Sequence, residues 1–254
     1  MNIIDTHCHI DVNQFDIDRE DVLERSQEAG VGSIIVPGIQ VSGWDKLALI
    51  CRANPGLYPA FGLHPVFLKK HKQKDLDELK KYIVTEKPVA IGEIGLDFQL
   101  KELDRIQQQE LFDAQLDIAN EARLPVILHA RKSHDVILST LKCYSLPGGV
   151  CHAFNGSLQQ ASKYIDLGFK LGFGGMLTYS GAHKLHKLAK EIPLEAIVLE
   201  TDAPDMVGEK HHGERNSPEY LPEVLQAMAS IRNQEPELIA GQTTANAKSV
   251  FRIS

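Results

Sequence analysis

The chain has 254 residues, of which 43% are hydrophobic and 24% charged, and these globular proportions exclude collagen, coiled-coil and intrinsically disordered proteins. The 27 Lys and Arg residues are outnumbered by 34 Asp and Glu, giving a net charge of −7. That balance excludes a protein that coats nucleic acid through a broad cationic face, because phosphate contacts need clustered Lys and Arg.

The first residues contain neither the basic nor the apolar region of a signal peptide. No apolar run approaches the ~18 residues that span a bilayer. The four cysteines, Cys8, Cys51, Cys143 and Cys151, form no CxxC pair and lack the spacing of a secreted disulfide framework. We therefore expect a reduced, cytoplasmic protein with no membrane contact and no obligate protein partner.

Short β-branched or apolar runs alternate with longer segments of helical periodicity along the whole chain, a pattern typical of βαβ units. In chain order, the predicted strands are Ile3–His7, Ser33–Pro37, Leu57–Gly62, Val89–Gly92, Val126–His129, Gly149–His152, Phe169–Phe173 and Ala196–Leu199. The predicted helices are Arg19–Ala29, Trp44–Ala53, Asp75–Glu86, Leu103–Ala122, His134–Cys143, Ser157–Asp166, Lys184–Glu191 and Pro218–Arg232.

These repeated units predict an α/β protein with the architecture of a TIM (β/α)8 barrel, occupying residues 1–254 as a single domain. A doubly wound sheet is the alternative, but no Gly-rich dinucleotide loop follows the first strand. Active sites of TIM barrels lie at the C-terminal ends of the strands. Residues with metal-binding or acid/base chemistry are therefore expected to gather there.

The first predicted strand is followed by two histidines, His7 and His9. Strand side chains alternate between faces, so both imidazoles point to the same side while Cys8 points to the other. Two imidazoles spaced in this way can hold one metal ion at ~2.0 to 2.1 Å. Taken alone, the pair is equally consistent with a coincidence of surface or core residues.

Four further strands end in similar chemistry, with Glu93 after the fourth, His129 after the fifth, His152 after the sixth and Asp202 after the eighth. A purely structural role for all of them would require several buried polar groups to lie close together, each satisfied by an unrelated partner. The sequence therefore predicts one polar centre at the barrel mouth.

The residue types at this centre suit two divalent cations rather than one. Two cations ~3.5 to 4 Å apart lower the pKa of a shared water and polarise a phosphoryl or carbonyl oxygen. Nitrogen and oxygen ligands fit zinc, manganese or magnesium, and four imidazoles favour zinc. The predicted ligands are His7, His9 and Asp202 for the first ion, His129 and His152 for the second, and Glu93 as a bridge between them.

Three neighbouring residues are candidate substrate contacts. His64 ends the third strand and is also a candidate catalytic group, which either hydrogen-bonds a substrate phosphate or leaving oxygen, or caps backbone groups. Arg131 pairs either with a phosphate through its guanidinium or with Asp97 or Asp135 in a salt bridge. Asn155 either shapes the substrate loop or forms an Asx turn.

Several motifs follow one another along the whole chain: DTHCH at residues 5–9, GEIGLD at 92–97, CHAFNG at 151–156, ETDAP at 200–204, RNSP at 215–218 and TTANA at 243–247. In this order they resemble the TatD family of metal-dependent deoxyribonucleases, and the segment from TTANA through Phe251 looks like the family's C-terminal helix. The resemblance implies a TIM barrel of the amidohydrolase superfamily that hydrolyses phosphodiesters with divalent metal ions, with DNA ends as substrate. Matched by motif, the family's metal ligands fall on the six residues assigned above.

One segment departs from the family pattern. Family members commonly carry an aromatic or apolar residue and a proline-rich stretch after the equivalent of Pro204, whereas residues 205–214 contain neither an aromatic residue nor a proline. An aromatic side chain there could stack on a nucleobase, so its absence weakens the inference to DNA and leaves the metal chemistry unchanged. The expected chemistry is attack on phosphorus by a metal-activated water, whose proton Asp202 accepts or positions while Glu93 holds both ions. The alternatives are an amidohydrolase or lactonase acting on a carbonyl substrate, a hydrolase of small phosphoesters, and a metal-binding protein without turnover.

Overall fold

The computed structural model describes residues 2–253, and eight parallel strands in sequential order form a nearly closed barrel. The last strand returns to the first, because the Thr6 N–H donates to the Leu199 carbonyl at 3.0 Å and the Asp202 N–H donates to the His7 carbonyl at 2.8 Å. The predicted TIM barrel is therefore confirmed. The strands are β1 Ile3–Asp5, β2 Val31–Pro37, β3 Leu57–Phe61, β4 Ala90–Asp97, β5 Val126–Arg131, β6 Gly149–Cys151, β7 Phe169–Phe173 and β8 Ile197–Leu199.

Helices follow the strands around the barrel, and none of those described is long and apolar enough to cross a membrane. Eight of them have bounds within a few residues of those predicted, except that residues 218–220 form a 3-10 turn before the last predicted helix begins, and the helix Pro236–Phe251 is additional to those eight. The helices are α1 Arg19–Glu28, α2 Val41–Ala53, α3 Lys74–Glu86, α4 Arg105–Ala122, α5 His134–Leu141, α6 Leu158–Asp166, α7 His183–Glu191, α8 Leu221–Arg232 and α9 Pro236–Phe251.

Two hydrophobic clusters hold the barrel together, one on each face of the sheet. The outer cluster packs the helices against the strands and includes Cys8 and Cys151, so both thiols lie on the helix side of the sheet, away from the mouth. The inner cluster takes one side chain from seven of the strands and is joined by α9. Its members are Ile4, Ile35, Ala60, Ala90, Ile127, Val150 and Val198, with Ala247, Val250 and Phe251 from α9.

Strand β4 extends to Asp97, whereas the sequence predicted that it ends at Gly92. Glycine is depleted in strands, so the two glycines at 92 and 95 concealed the continuation. The strand continues because β5 pairs with its second half, joining Gly95 to His129 and Asp97 to Arg131 after a register shift between Ile91 and Ile94. This shift lies beside Glu93, at the point where the strand enters the barrel mouth.

Strands β1 and β6 are shorter than predicted, ending at Asp5 and Cys151. The chain beyond them stays tied to its neighbours, since the Cys8 N–H donates to the Ile35 carbonyl and the His152 N–H donates to the Leu128 carbonyl, each at 3.1 Å. The histidines predicted at these strand ends are therefore held by the barrel although they lie just outside the regular ladder.

Candidate active site

Glu93 is the centre of the polar cluster at the barrel mouth. Its side chain is only 3% exposed, and its two oxygens face different histidines. Oε2 lies 3.2 Å from His7 Nε2 and 3.7 Å from His9 Nε2. Oε1 lies 3.0 Å from His129 Nδ1 and 4.0 Å from His152 Nε2. One carboxylate therefore touches both of the ligand groups that the sequence predicted.

Asp202 faces Glu93 across this cluster. Its Oδ1 lies 3.5 Å from His7 Nε2 and 3.6 Å from His9 Nε2, and its Oδ2 lies 3.6 Å from His152 Nε2. The side chain is 15% exposed and lines an open cavity of about 680 Å³. All six predicted ligands thus converge, and Asp202 is a carboxylate of the cluster that reaches the cavity.

Donor atoms lie within 4.8 Å of one another in three overlapping groups, a spacing suited to metal ions. The sequence associated His129 with His152, whereas the structure brings His64 closest to His129, with ring centroids 4.4 Å apart. His152 instead stacks on His7 at 3.7 Å. The groups are His7 with His9 and Asp202, His7 with Glu93 and His152, and His64 with Glu93 and His129.

Two of the histidines are oriented from behind by oxygen acceptors. His9 Nδ1 lies 3.1 Å from the Pro37 carbonyl, which accepts only, so the proton sits on Nδ1 and the lone pair of Nε2 faces the cluster. Asp97 Oδ2 lies 3.1 Å from His129 Nε2, leaving Nδ1 toward Glu93. Such outer partners fix the tautomer and direction of metal-binding imidazoles.

His152 is contacted on the corresponding side of its ring by Glu200, whose Oε1 lies 3.1 Å from its Nδ1 as an ion pair without hydrogen-bond geometry. Glu200 also accepts the Ala153 N–H at 2.6 Å. Sequence reasoning missed the contacts that Glu200 and Asp97 make with the histidines. Their spacing was the available signal, because Glu200 precedes Asp202 by two residues and Asp97 follows Glu93 by four, which in a strand places each pair on one face.

His64 has the opposite tautomer. Its Nδ1 accepts the Val66 N–H at 3.1 Å, so in the neutral ring Nε2 carries the proton, and this N–H points to Glu93 Oε1 at 3.2 Å. The capping role left open by the sequence is thus present on one side of the ring. The other side presents a hydrogen-bond donor to the cluster, which suits an oxygen of a substrate better than a cation.

Two glutamines of α4 hold the loops that carry His64 and Asp97. Gln115 accepts the Leu63 N–H at 2.7 Å and donates to the Leu63 carbonyl at 3.1 Å. Gln108 binds the backbone of Asp97 in the same two-sided manner, at 2.8 and 3.1 Å. Because the glutamines are seven residues apart, they lie on one face of the helix. The sequence predicted this helix but gave no sign that its buried amides position the site.

Arg131 and Asn155 both line the cavity, at its rim. The Arg131 side chain is 58% exposed, and its Nη1 lies 3.9 Å from Asp97, the partner proposed in one of the two readings of the sequence. Asn155 is exposed, and its backbone carbonyl accepts from the Lys184 ammonium. Both side chains are therefore accessible from the cavity without being part of the cluster.

The loop after β8 is fixed by Asn216. Its amide donates to the carbonyls of Thr201 at 2.8 Å and Asp205 at 2.7 Å, which ties the segment next to Asp202 to the start of the last 3-10 turn. Ser217 is the N-cap of this turn but makes no capping hydrogen bond, and its hydroxyl has no partner among the described residues. Asn216, rather than Ser217, anchors this loop.

Burial and mutual charge set the ionisation of the cluster. Burial opposes the charge of Glu93, but the charges of His64 and His7 and the hydrogen bond to His129 outweigh it and hold its pKa well below the usual range. Burial raises the pKa of Asp202 to about 6 against the charge of His152. The cluster thus contains a firmly ionised carboxylate beside one that takes up a proton more readily.

Metal binding at this cluster is expected to release protons. Burial disfavours the protonated rings, but Asp97 and Glu93 raise the pKa of His129 to about 8, and Glu200 and Asp202 raise that of His152 to about 10. Below these pKa values protons compete with the metal ion, so affinity for Zn²⁺ should increase about tenfold per pH unit for each proton displaced between about pH 6 and pH 8. Calorimetry in buffers of different ionisation enthalpy measures this release, and a pH-independent affinity would contradict it.

Comparisons with known proteins agree with this geometry. The profile of the TatD related DNase family matches residues 4–252. The chain is 40% identical over 253 residues to the uncharacterized metal-dependent hydrolase YjjV of Escherichia coli K12, and the match covers 98% of each chain. It also resembles the crystal structure of YjjV with a TM-score of 0.96, and this match covers 99% of the present chain and 98% of the YjjV chain. It is 32% identical over 258 residues to the 3'-5' ssDNA/RNA exonuclease TatD of Salmonella typhimurium, covering 99% of each.

Proposed function

The chain belongs to the TatD family of related DNases and is a metal-dependent hydrolase acting on ester bonds, and on that premise we propose that it cleaves phosphodiester bonds with water at a two-metal site. The proposed substrates are DNA ends or small phosphoesters. Some relatives are named ssDNA/RNA exonucleases, which supports this substrate class.

The observation that carries the proposal is the position of Glu93. Its Oε2 faces the group formed by His7 and His9, while its Oε1 faces His129 and His152. A carboxylate with one oxygen toward each of two histidine groups has the arrangement that a bridging ligand needs. The cluster has nitrogen and oxygen donors without thiolate, which fits zinc first and manganese or magnesium as alternatives.

The candidate ligand atoms of this chain already point into the cluster, where such ions would bind. His9 and His129 each direct a lone pair into the cluster because an oxygen acceptor holds the opposite ring nitrogen. His7 Nδ1 is buried with no partner among the described residues, so the ring makes all of its polar contacts through Nε2, inside the cluster. When bound, two divalent cations would supply a lowered pKa for water and polarisation of a phosphoryl oxygen.

We assign the proton transfer from the attacking water to Asp202. Both carboxylates line the cavity, but the Asp202 side chain is 15% exposed against 3% for Glu93, so its oxygens can reach both the proposed ligand groups and a water above them. Glu93 is nearly enclosed and firmly ionised, which suits it to hold the two ligand groups at a fixed separation. Proton transfer is thus assigned to Asp202, and the bridging ligand role to Glu93.

His64, Arg131 and Asn155 are the proposed substrate contacts. The Nε2–H of His64 is a donor at the edge of the cluster and can bind a phosphate oxygen or the leaving oxygen. The guanidinium of Arg131 is exposed at the rim and its pairing with Asp97 is long, which leaves donors available to a phosphate. Asn155 is exposed across the same cavity, where its amide can contact the substrate.

Replacing His64 by alanine should have an effect that depends on the leaving group. We expect the rate on a dinucleotide to fall by about a hundredfold, because the neutral ring donates a hydrogen bond to the charge that develops on a poor leaving oxygen, and removal of one such donor has that magnitude. With an aryl phosphodiester, whose leaving oxygen develops less charge, the loss should be less than about tenfold. Equal losses on both substrates would contradict the role of donor to the leaving oxygen.

The proposal requires no protein partner, since all six ligands come from one chain. All four cysteines are free in the structure, which supports a reducing compartment, and we propose the cytoplasm.

The function is tested by comparing substrates. Protein loaded with Zn²⁺ or Mn²⁺ is assayed on an aryl phosphodiester, a single-stranded oligonucleotide and a lactone, with the Glu93→Gln variant as a control for contaminating nuclease. We expect hydrolysis of the phosphodiesters to exceed that of the lactone, and to be missing in the variant. Faster lactone hydrolysis would instead identify a carbonyl hydrolase.

A further inference from the structure

The cavity above the cluster has largely apolar walls. They come from the loops after several strands, and two of their side chains, Val66 and Met176, are 38% and 37% exposed. Large apolar side chains left exposed around a polar floor are typical of a ligand site. The apolar wall residues are Val12, Ile39, Val66, Phe67, Met176 and Met206.

The charges in these walls nearly cancel. Outside the predicted ligands and His64, the described lining contains one cationic side chain, Arg131, and one acidic side chain, Asp205. Two further cations touch lining residues and are engaged there, since the Lys184 ammonium binds the Asn155 carbonyl and Lys70 Nζ lies 5.1 Å from the ring centroid of Phe67. A long strand bound through successive phosphates needs a track of Lys and Arg, and these walls provide none.

Phe67 is placed to contact a planar group. It is half-buried in the loop after β3, lines the cavity, and its ring centroid lies 6.2 Å from that of His64. His64 in turn contacts Glu93, so only one side chain separates the aromatic ring from the cluster. The segment 205–214 contributes Met206 to the same cavity. Phe67 thus brings an aromatic ring to the cavity from a loop other than this segment, which has none.

We propose that the site recognises a single phosphodiester that carries a planar or apolar group, and that the further phosphates of a long polynucleotide add nothing to its recognition. This rests on the proposed phosphodiesterase function. The phosphate would lie over the ligand cluster within reach of Arg131, and the planar group would lie against Phe67 and the methionines of the wall. A dinucleotide is the simplest nucleic acid of this kind, and an aryl phosphodiester is its small-molecule equivalent.

The proposal is tested by varying the chain length of the substrate and the salt concentration. The metal-loaded enzyme is assayed on a thymidine dinucleotide and on a single-stranded thymidine oligonucleotide of about 20 nucleotides, per chain end, over a range of NaCl concentrations. We expect kcat/KM to differ by less than about threefold and to fall with a log–log slope near −0.7, as for a single phosphate contact. A preference of tenfold or more for the longer strand, or a slope steeper than about −2, would overturn the inference.

Substitution of Phe67 tests the wall contact. Phe67→Ala should raise KM for the dinucleotide about tenfold, with kcat nearly unchanged, because stacking on an aromatic side chain is lost, whereas Phe67→Tyr should keep the original KM. Phe98 is a matched control: it is also half-buried in a loop at the mouth, with Arg105 4.7 Å from its ring centroid, but it does not line the cavity. Phe98→Ala should leave KM unchanged.

An unchanged KM in Phe67→Ala, or an equal rise in Phe98→Ala, would overturn the inference while leaving the phosphodiesterase function standing. The proposed function itself would be overturned if the enzyme, loaded with zinc, manganese or magnesium, hydrolysed neither the dinucleotide, the oligonucleotide nor an aryl phosphodiester. Thermal unfolding of each variant shows whether a changed KM comes with an intact fold.

Discussion

Glu93→Gln should lower the rate of phosphodiester hydrolysis by about a thousandfold or more at saturating metal, since several kcal/mol of transition-state stabilisation depend on the cations that Glu93 is proposed to hold. Glutamine keeps the volume of the side chain but offers one neutral oxygen in place of two charged ones. The variant should also bind fewer metal ions per chain. Activity and metal content are measured on the same sample, by a discontinuous assay and elemental analysis.

The neighbouring carboxylate provides the matched control. Asp97 is equally buried but contacts His129 from behind, at 3.1 Å, and is not among the predicted ligands. Asp97→Asn should therefore weaken metal binding by about ten- to a hundredfold, and excess metal should restore most of its activity. Excess metal should not restore Glu93→Gln. Recovery of both variants, or full turnover by Glu93→Gln, would contradict the bridging role.

Gly95→Ala should destabilise the barrel and disable the site together. Gly95 has a φ of +143°, and a Cβ placed on it would lie 2.0 Å from the carbonyl oxygen of His129. That oxygen belongs to the backbone of β5, which cannot move without moving a predicted ligand. Strain and overpacking of this kind cost more than about 3 kcal/mol, so Tm should fall by about 10 °C and activity should be lost with it.

A second glycine gives the opposite expectation. Gly241 lies exposed within α9, and a Cβ there meets nothing within 4 Å. Gly241→Ala should stabilise the helix by about 0.5 to 1 kcal/mol, because alanine loses less conformational entropy on folding, and raise Tm by about 2 °C. Activity should not change. A wild-type Tm in Gly95→Ala would contradict the tight approach of β4 to β5.

The convergence of the six candidate ligands was predictable because it depends on two local rules. Strand runs are recognisable by their length and composition, and the fold places all of their C-terminal ends at one mouth. Six side chains at these ends therefore had to meet, whichever rotamers they adopt. Strand β4 shows where the rule weakens, since its continuation beyond Gly92 is stabilised by pairing with β5 and opposes the local preference of glycine.

The supporting contacts were not predictable, because they depend on tertiary approach. The Pro37 carbonyl that orients His9 leaves no mark in side-chain chemistry. Gln108 and Gln115 appear in the sequence as polar positions of an amphipathic helix, and only the packing of α4 on the mouth directs their amides to the site loops. The tautomer of His64 likewise follows from the Val66 N–H, which reaches its ring only in the folded loop.

The central claim, hydrolysis at a two-metal site, is tested most directly by metal titration. Protein stripped with a chelator is titrated with Zn²⁺ or Mn²⁺ while bound metal and phosphodiester hydrolysis are measured on the same samples. We expect no hydrolysis in the stripped protein and full activity only when two ions are bound per chain. Full activity with one ion bound, or undiminished hydrolysis after stripping, would contradict the claim.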